Sequence, residues 1–281
     1  MAYLGYYINL DRSPDRRTAM DAQLARLGLA ERYRRSAAVD GTPPGVTSPK
    51  LTVSELGCFA SHTRLLRQHL DGAAHLHIIE DDTVLATRTA QFIDGIIAAG
   101  MLDDHDLLFT DMVVQSDLNF FRRARRWYDN DIRRDAGGTA TEVRFRPMAY
   151  TASMTSYLVN RRSIGRISDM FGRELAGGAR RPIDLFIRDK VGEGQLRARC
   201  LFPFITSIRP GAPTSMTVRD DHDQLSTLAL DLLRHSFFVE CDLAATLGLA
   251  DRWLPSQGAG LHDRLLARTL GFITSDAFRQ P

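Results

Sequence analysis

Apolar residues along the chain fall into short continuous runs that alternate with stretches of helical spacing. The runs predict buried strands at residues 4–10, 75–79, 107–111, 152–159 and 201–208. Apolar residues spaced three and four apart predict helices at 13–27, 52–72, 90–100 and 161–171, and a further helix that opens at Pro182. This alternation favours a mostly parallel sheet between two layers of helices, a three-layer α/β sandwich of the Rossmann type.

Local start signals support two of these helices. Ser13 can cap the first one and Pro14 suits its first position, while Thr52 and Glu55 have the spacing of a capping box. Gly57 is expected to allow close packing of the second helix.

Two segments do not follow the alternation. Residues 112–146 are basic and irregular, with an aromatic and arginine-rich centre at 120–127. After residue 213 the composition shifts to Leu, Ala and Asp, which predicts helices. We therefore predict a catalytic domain at 1–212 and a helical C-terminal extension at 213–281.

Composition places the chain among globular proteins, with 44% hydrophobic and 25% charged residues. It has no apolar run long enough to span a membrane and no secretory leader pattern, so we expect a cytoplasmic protein. A net charge of +2 argues against a dedicated nucleic-acid binder. All but two of its 36 basic residues are arginine, through either coding bias or selection for phosphate binding.

Three adjacent carboxylates, Glu80, Asp81 and Asp82, follow the predicted strand at 75–79. Ligands of such sheets lie at the carboxyl ends of the strands. In an extended chain Glu80 and Asp82 would face one way and Asp81 the other. The pair is then a candidate ligand set for Mn²⁺ or Mg²⁺, and the alternative is a solvated turn.

Five segments in this order resemble family 25 glycosyltransferases, the group that includes bacterial lipopolysaccharide galactosyltransferases. They are YINLDRSPDRR at 7–17, LGCFASH at 56–62, IEDD at 79–82, TSYLVNRR at 155–162 and PID at 182–184. The resemblance implies a GT-A-like fold, a nucleotide-sugar donor, usually UDP-linked, and inverting transfer. Residues 112–146 and 213–281 have no counterpart in it, and acceptor recognition could lie there.

The resemblance also assigns roles to individual residues. Glu80 and Asp82 would hold the cation that bridges the donor's diphosphate. The residues expected to bind the donor are Asn9, Asp11, Arg12, Ser61, His62 and Asp81. The alternatives are local: Asn9 could be a turn residue, Arg12 a solvated helix-start charge, and His62 a hydrogen-bonded core histidine.

Asp184 is the candidate general base, because Pro182 places it in the first turn of a helix, where an ionised carboxylate is stabilised. It could instead only cap that turn, and Asp111 is the reserve candidate. The motif at 220–223, DDHD, is either a late metal ligand or a helix start.

The resulting hypothesis is an inverting, metal-dependent enzyme that moves a hexose, galactose in the first instance, from a UDP-sugar to a saccharide acceptor such as a lipopolysaccharide or lipooligosaccharide core. Residues 120–127 could contact the inner-membrane surface or remain a solvated loop. The rivals are a metal-dependent phosphoesterase for nucleotides or phosphorylated sugars, and a non-catalytic nucleotide-sugar-binding protein.

Overall fold

The structure is a computed structural model that describes residues 2–43, 45–114, 118–209, 221–253 and 261–273. The strands within those ranges are β1 Tyr3–Asn9, β2 Tyr33–Ala37, β3 His75–Glu80, β4 Thr83–Leu85, β5 Leu107–Phe109, β6 Ile132–Arg134, β7 Ala140–Val143, β8 Arg146–Ala149, β9 Ser156–Val159, β10 Ala198–Phe202 and β11 Thr206–Ile208. The helices are α1 Pro14–Arg26, α2 Val53–Arg67, α3 Thr89–Ala98, α4 Leu118–Asn130, α5 Ile164–Ala176, α6 Ile183–Gly192, α7 Asp221–His235, α8 Leu243–Trp253 and α9 Leu261–Ile273.

A seven-stranded sheet forms the centre of the molecule, in the order β2-β1-β3-β9-β5-β10-β8. The first three of these strands are parallel and are joined by α1 and α2, as in a Rossmann-type unit. Their register pairs Ile8 with Glu80 and Asn9 with Ala37. The carboxyl ends of β1, β2 and β3 therefore meet at one edge of the sheet.

The core lies on both faces of this sheet. Ile78 belongs to one buried cluster and Ile79 to the other, as expected for a strand that is covered on both sides. On the first face Phe59, Phe171 and Phe186 pack their rings against one another, joining α2, α5 and α6. Helices α1 and α3 contribute buried residues to the second cluster. The predicted three layers are confirmed.

The sheet is mostly parallel, as predicted: five of its seven strands run in one direction, and β9 and β8 run in the other. Strand β9 is antiparallel to both of its neighbours, β3 and β5, and β8 is antiparallel to β10. The chain travels from β5 to β9 through α4, the β6–β7 pair and β8 rather than through one crossover helix. It consequently re-enters the sheet in the opposite direction.

The described residues from 118 to 146 lie largely in regular elements, although irregular structure was predicted for 112–146. Helix α4 buries Phe120 and Ala124, and Phe121, Trp127 and Tyr128 pack against the same core cluster. These five positions follow the i, i+1, i+4, i+7, i+8 spacing of one helical face. The intervening arginines obscure that face when the sequence is interpreted by composition alone.

Several element bounds differ from prediction. Helix α2 ends at Arg67, five residues earlier than expected, β5 and β9 are shorter, and 198–208 forms two strands rather than one. The capping box is present: the Thr52 side chain accepts from the Glu55 backbone and the Glu55 side chain accepts from the Thr52 backbone.

The described residues after 213 are mainly helical, as predicted. Helix α7 packs against the α/β layers, since Arg234 is buried and its Nη2 donates to Asp111 Oδ2 at 2.5 Å. Phe204 exchanges backbone hydrogen bonds with Phe237 and Val239 just beyond α7. The 212/213 boundary lies outside the described residues, as do Asp220 and the side chains of 221–223, so both predictions stay open. Within the described ranges, none of the helices has the length and apolar character required to cross a membrane.

We expect the α7 contact to be essential for stability. Arg234→Met leaves the Asp111 carboxylate buried without a counter-charge, which should lower the free energy of unfolding by about 3–5 kcal/mol. Urea denaturation measures this change. The double variant Asp111→Asn, Arg234→Met removes both charges and should recover a large part of the loss, whereas additive losses would contradict a direct pairing.

Candidate active site

A cavity of about 500 Å³ opens at the edge where β1, β2 and β3 end. Its walls come from the β1–α1 loop, the segment after β2, the first turns of α2 and the acidic triplet. The lining residues are Ile8, Leu10, Arg12, Arg16, Ala38, Val39, Asp40, Gly41, Thr52, Val53, Ser54, Cys58, Ser61, Glu80, Asp81 and Asp82. The acidic triplet therefore faces a half-open cavity at the edge of the sheet where ligands of such folds bind.

The acidic triplet is a turn rather than an extended segment. Strand β3 ends at Glu80, and Asp81 and Asp82 form the turn that leads into β4. The predicted alternation of side chains is therefore wrong beyond Glu80, and Arg16 contacts both Asp81 and Asp82. The backbone of the turn is fixed by Glu80 N–H donating to Thr155 O.

Asp81 is held from two sides. Its Oδ2 accepts from Asn9 Nδ2 at 2.7 Å and its Oδ1 accepts from Arg16 Nη1 at 2.8 Å. Asn9 is buried, and its Oδ1 in turn accepts from Arg35 Nε at 2.8 Å. Asn9 is thus a positioning residue for the acidic turn and is not among the residues that line the cavity.

Arg16 is a site residue that the sequence places near the end of the first strand but favours as a solvated charge at the helix start. It lies in the first turn of α1, lines the cavity, and its Nη2 is 3.4 Å from Asp82 Oδ2. Pro14 at the start of α1 fixes the direction of that turn relative to β1. Because Pro14 starts the helix directly after the strand, the sequence does indicate that Arg16 lies near the strand ends.

The surroundings of Asp82 disfavour the ionised form of its carboxyl group. Burial raises the pKa of its carboxyl to about 7, with the Glu80 charge adding to the effect and Arg16 opposing it. Its Oδ1 is buried and has no hydrogen-bond partner among the described residues. A buried carboxylate oxygen that lacks a donor is a position where a cation would be favourable.

The pKa of the Glu80 carboxyl is shifted in the opposite direction to that of Asp82. Burial would raise the pKa of its carboxyl, but the contacts with His62 and the charge of Arg234 bring that pKa below its ordinary value. An ionised Glu80 next to Asp82 concentrates negative charge at one end of the cavity. These oxygen ligands fit a hard divalent cation such as Mn²⁺ or Mg²⁺.

The predicted donor-binding pair Ser61 and His62 is tied into the protein. Ser61 Oγ donates to Gly57 O at 2.6 Å and accepts from Val39 N–H at 2.7 Å. His62 is 1% exposed, with Nδ1 2.8 Å from Tyr157 Oη. Ser61 fixes the position of the Val39 backbone in the cavity wall, and His62 is not among the residues that line the cavity.

Gly57 explains how α2 approaches that wall. A Cβ atom at this position would lie 2.7 Å from Val39 O and 3.1 Å from Gly41 O. Only glycine lets the helix contact the backbone of 38–41 directly, as the sequence predicted.

Arg12 lines the cavity on its solvent side, and Asp11 precedes it in the β1–α1 loop, outside the set of lining residues. Arg12 Nε donates to Asp40 Oδ2 at 2.8 Å, and both side chains are largely exposed. Asp11 accepts from Arg35, the same residue that orients Asn9. Arg12 therefore presents positive charge opposite the acidic turn, although it lies on the solvent side.

Asp184 lies near the acidic turn, outside the set of lining residues. Burial raises the pKa of its carboxyl and the charge of Glu80 adds to this, while backbone N–H groups of Leu185 and Ser153 partly oppose it. Ser153 has a φ of 111°, a strained conformation for a residue with a Cβ. Asp111, the reserve base, is fully buried and paired with Arg234.

Sequence reasoning missed three further residues that shape the site. Cys58 lines the cavity and its Sγ lies 3.8 Å from Glu80 Oε1. Tyr157 orients His62, and the charge of Arg234 reaches Glu80 and Asp82. Cys58 and Tyr157 lie inside the motifs that carry the resemblance, so spacing could have found them. Arg234 lies outside these motifs, and no pattern in the sequence indicates that it acts on the site.

The Rossmann-like sandwich has carboxylates and arginines at one cavity beside the ends of its parallel strands, which is where such folds bind ligands. Residues 45–174 match the model of glycosyltransferase family 25, described as a lipopolysaccharide biosynthesis protein. The match confirms the resemblance over three of the five motifs and supports a glycosyltransferase. It also extends through residues 112–146, so the prediction that this segment has no counterpart in the family is wrong. The motifs at 7–17 and 182–184 lie outside the matched residues. A search of curated proteins gave no match.

We expect metal binding to depend on pH through Asp82. Its carboxyl has a raised pKa of about 7, so it is largely protonated at pH 6 and must lose that proton to bind a cation. The affinity for Mn²⁺ should rise about tenfold from pH 6 to pH 8 and then level off, as isothermal titration calorimetry would measure. Equal affinities at the two pH values would contradict this role.

The matched control is Asp82→Asn. Because a raised carboxyl pKa lowers the stability of the folded protein as pH rises from about 4 to about 7, the amide should raise the melting temperature of metal-free protein at pH 8. The same variant should bind Mn²⁺ more weakly and lose the pH dependence.

Proposed function

We propose that this protein is an inverting glycosyltransferase with a GT-A-like fold that moves a hexose, galactose in our proposal, from a UDP-sugar to a saccharide acceptor. The acceptor we propose is a lipopolysaccharide or lipooligosaccharide core, or another surface glycan. The observation that carries the proposal is the anionic turn at 80–82, which faces a cavity large enough for part of a nucleotide and has an unpartnered Asp82 oxygen.

Glu80 and Asp82 would hold Mn²⁺ or Mg²⁺ at this turn. When bound, the ion supplies positive charge that stabilises the departing diphosphate. Neither carboxylate needs a new conformation to face the cavity, because both already line it. Asp81 stays with Asn9 and Arg16 and keeps the turn in place, and its free lone pairs are open to a ribose or sugar hydroxyl.

The cationic side chains of the cavity would bind the donor's phosphates. Arg12 stands at the mouth, and the guanidinium of Arg16 lies against the acidic turn. A guanidinium binds phosphate oxygens in a planar, two-point contact, so this pair could orient the diphosphate between mouth and turn. Ser61 lines the same space and holds the segment 38–41. Asp11, which pairs with Arg35 in the structure, would reach the donor from the β1–α1 loop.

Asp184 would act as the general base toward the acceptor hydroxyl. Its raised carboxyl pKa brings it closer to neutral pH than an ordinary aspartate, which improves proton transfer. The hydroxyl oxygen attacks the anomeric carbon on the face opposite the leaving group, its proton passes to Asp184, and the diphosphate leaves with the bonding electrons. Configuration at the sugar is thereby inverted.

Helix α4 is the proposed route to an acceptor at a membrane. Arg123, Arg125 and Arg126 are exposed on it, while its apolar face is held in the core. A cationic strip of this kind attracts anionic lipids or a phosphorylated saccharide. We propose peripheral contact with the inner-membrane surface through this strip, in a cytoplasmic protein.

A panel of nucleotide sugars tests the donor assignment. With Mn²⁺ present, one UDP-hexose should raise the melting temperature of the wild type and undergo slow hydrolysis, because a ligand that binds only the folded state stabilises it. Asp82→Ala is the control and should show neither effect. If no UDP-sugar stabilises the wild type more than the variant, the donor assignment fails. Phosphate release without a sugar acceptor would indicate a phosphoesterase instead.

Asp184→Asn tests the base. Loss of general base catalysis should lower kcat by roughly 10²–10⁴-fold while the donor-induced rise in melting temperature stays. Asp189→Asn, on the same helix and partly exposed, is the matched control and should keep its activity. A protein that binds a UDP-sugar but transfers nothing, and is unchanged by Asp184→Asn, would be a binding protein rather than an enzyme.

A further inference from the structure

We propose that Cys58, His62 and Glu80 form a site for a transition metal of the zinc type, next to the carboxylate pair and sharing Glu80 with it. One potential ligand atom from each residue lies within 4.8 Å of the other two: the thiol sulfur, the imidazole Nε2 and a carboxylate oxygen. Thiolate and imidazole ligands select zinc-type metals, whereas oxygen ligands alone select Mg²⁺ and Mn²⁺. The cavity would thus hold two cation sites of different chemistry.

Two of the three distances between the ligand atoms are close to those of tetrahedral coordination. Cys58 Sγ is 3.8 Å and His62 Nε2 is 3.5 Å from Glu80 Oε1. Ordinary zinc bond lengths at tetrahedral angles place such a sulfur and oxygen about 3.6 Å apart, and such a nitrogen and oxygen about 3.4 Å apart. The third pair, Cys58 Sγ and His62 Nε2, lies within 4.8 Å, so these two side chains would move closer together around a common ion.

His62 Nε2 points to a ligand independently of this spacing. His62 is 1% exposed, and its Nε2 is buried without a hydrogen-bond partner among the described residues. The contact with Glu80 at 3.5 Å is longer than a normal hydrogen bond. A buried ring nitrogen without a donor or acceptor is costly unless something else satisfies it, and a metal ion would do so.

Tyr157 provides the outer contact that a metal-binding histidine requires. Its hydroxyl lies 2.8 Å from His62 Nδ1. With the proton on Nδ1 and donated to that hydroxyl, the Nε2 lone pair is directed at Cys58 and Glu80. Hydrogen bonds of this kind orient the ring and fix its tautomer in metal sites.

The site is accessible because Cys58 and Glu80 line the cavity. Three protein ligands leave a fourth position for water or a donor oxygen. On binding, the S–metal bond forms as the thiol S–H bond breaks, and the proton passes to the solvent. Since Glu80 serves both sites, zinc should compete with Mn²⁺, and this consequence alone rests on the proposed function.

Titration of the full-length protein with Co²⁺, a spectroscopic substitute for Zn²⁺, tests the site. Ligation by Cys58 should produce a near-ultraviolet sulfur-to-cobalt absorption band with a stoichiometry of one, bleached by one equivalent of Zn²⁺. Cys58→Ser should lose the band and bind Zn²⁺ at least tenfold more weakly, and Cys241→Ser should keep both properties. No band in the wild type, or an equal band in Cys58→Ser, would overturn the proposal.

A second measurement needs no variant and so does not depend on whether Cys58→Ser folds. Alkylation of the native protein by iodoacetamide, followed by peptide mass spectrometry, gives the rate at each cysteine. One equivalent of Zn²⁺ should slow modification of Cys58 at least tenfold and leave Cys241 unchanged, whereas equal rates at Cys58 with and without Zn²⁺ would contradict the site. Both readouts are independent of sugar transfer, so a failed donor assignment would leave them interpretable.

Discussion

The balance of charge at the end of β3 is the constraint on which the site depends. Three successive carboxylates turn into a cavity, where partial burial raises the free energy of each added negative charge. Two arginines offset this. Arg16 contacts the turn from α1, and Arg234 reaches it electrostatically from α7. Because these helices come from opposite ends of the chain, the turn is stabilised only when both have packed against the sheet.

Much of the fold follows from local sequence signals. The Thr52 and Glu55 capping box, the buried run of β3 and the proline at the start of α1 each act within a few residues, so the sequence predicts the elements and their order. The position of Glu80 at the ligand-binding edge follows from the same reasoning, because parallel strands share the edge at which they end.

The rest depends on contacts between distant segments. Asn9 and Asp81 are 72 residues apart in sequence. Nothing in either motif indicates that the side-chain amide of Asn9 would form its hydrogen bonds with other residues of the protein. The direction of β9 is set by the long connection before it, and the turn at Asp81 and Asp82 ends the alternation that an extended chain would impose. Helix α4 was not predicted because arginines lie between its apolar residues in the sequence. The helical spacing of those apolar residues was nevertheless there to be found.

The contact at Gly57 limits how the cavity can change shape. Helix and loop meet backbone to backbone, with no side chain between them that could rotate and absorb a displacement. Cys58 and Ser61 are carried on the same helix, and Phe59 anchors it to α5 and α6. A ligand that pushes on residues 38–41 would have to shift this whole layer as a rigid unit. Adaptation to ligands of different size is therefore left to side chains that reach solvent, such as those of Arg12 and Asp40.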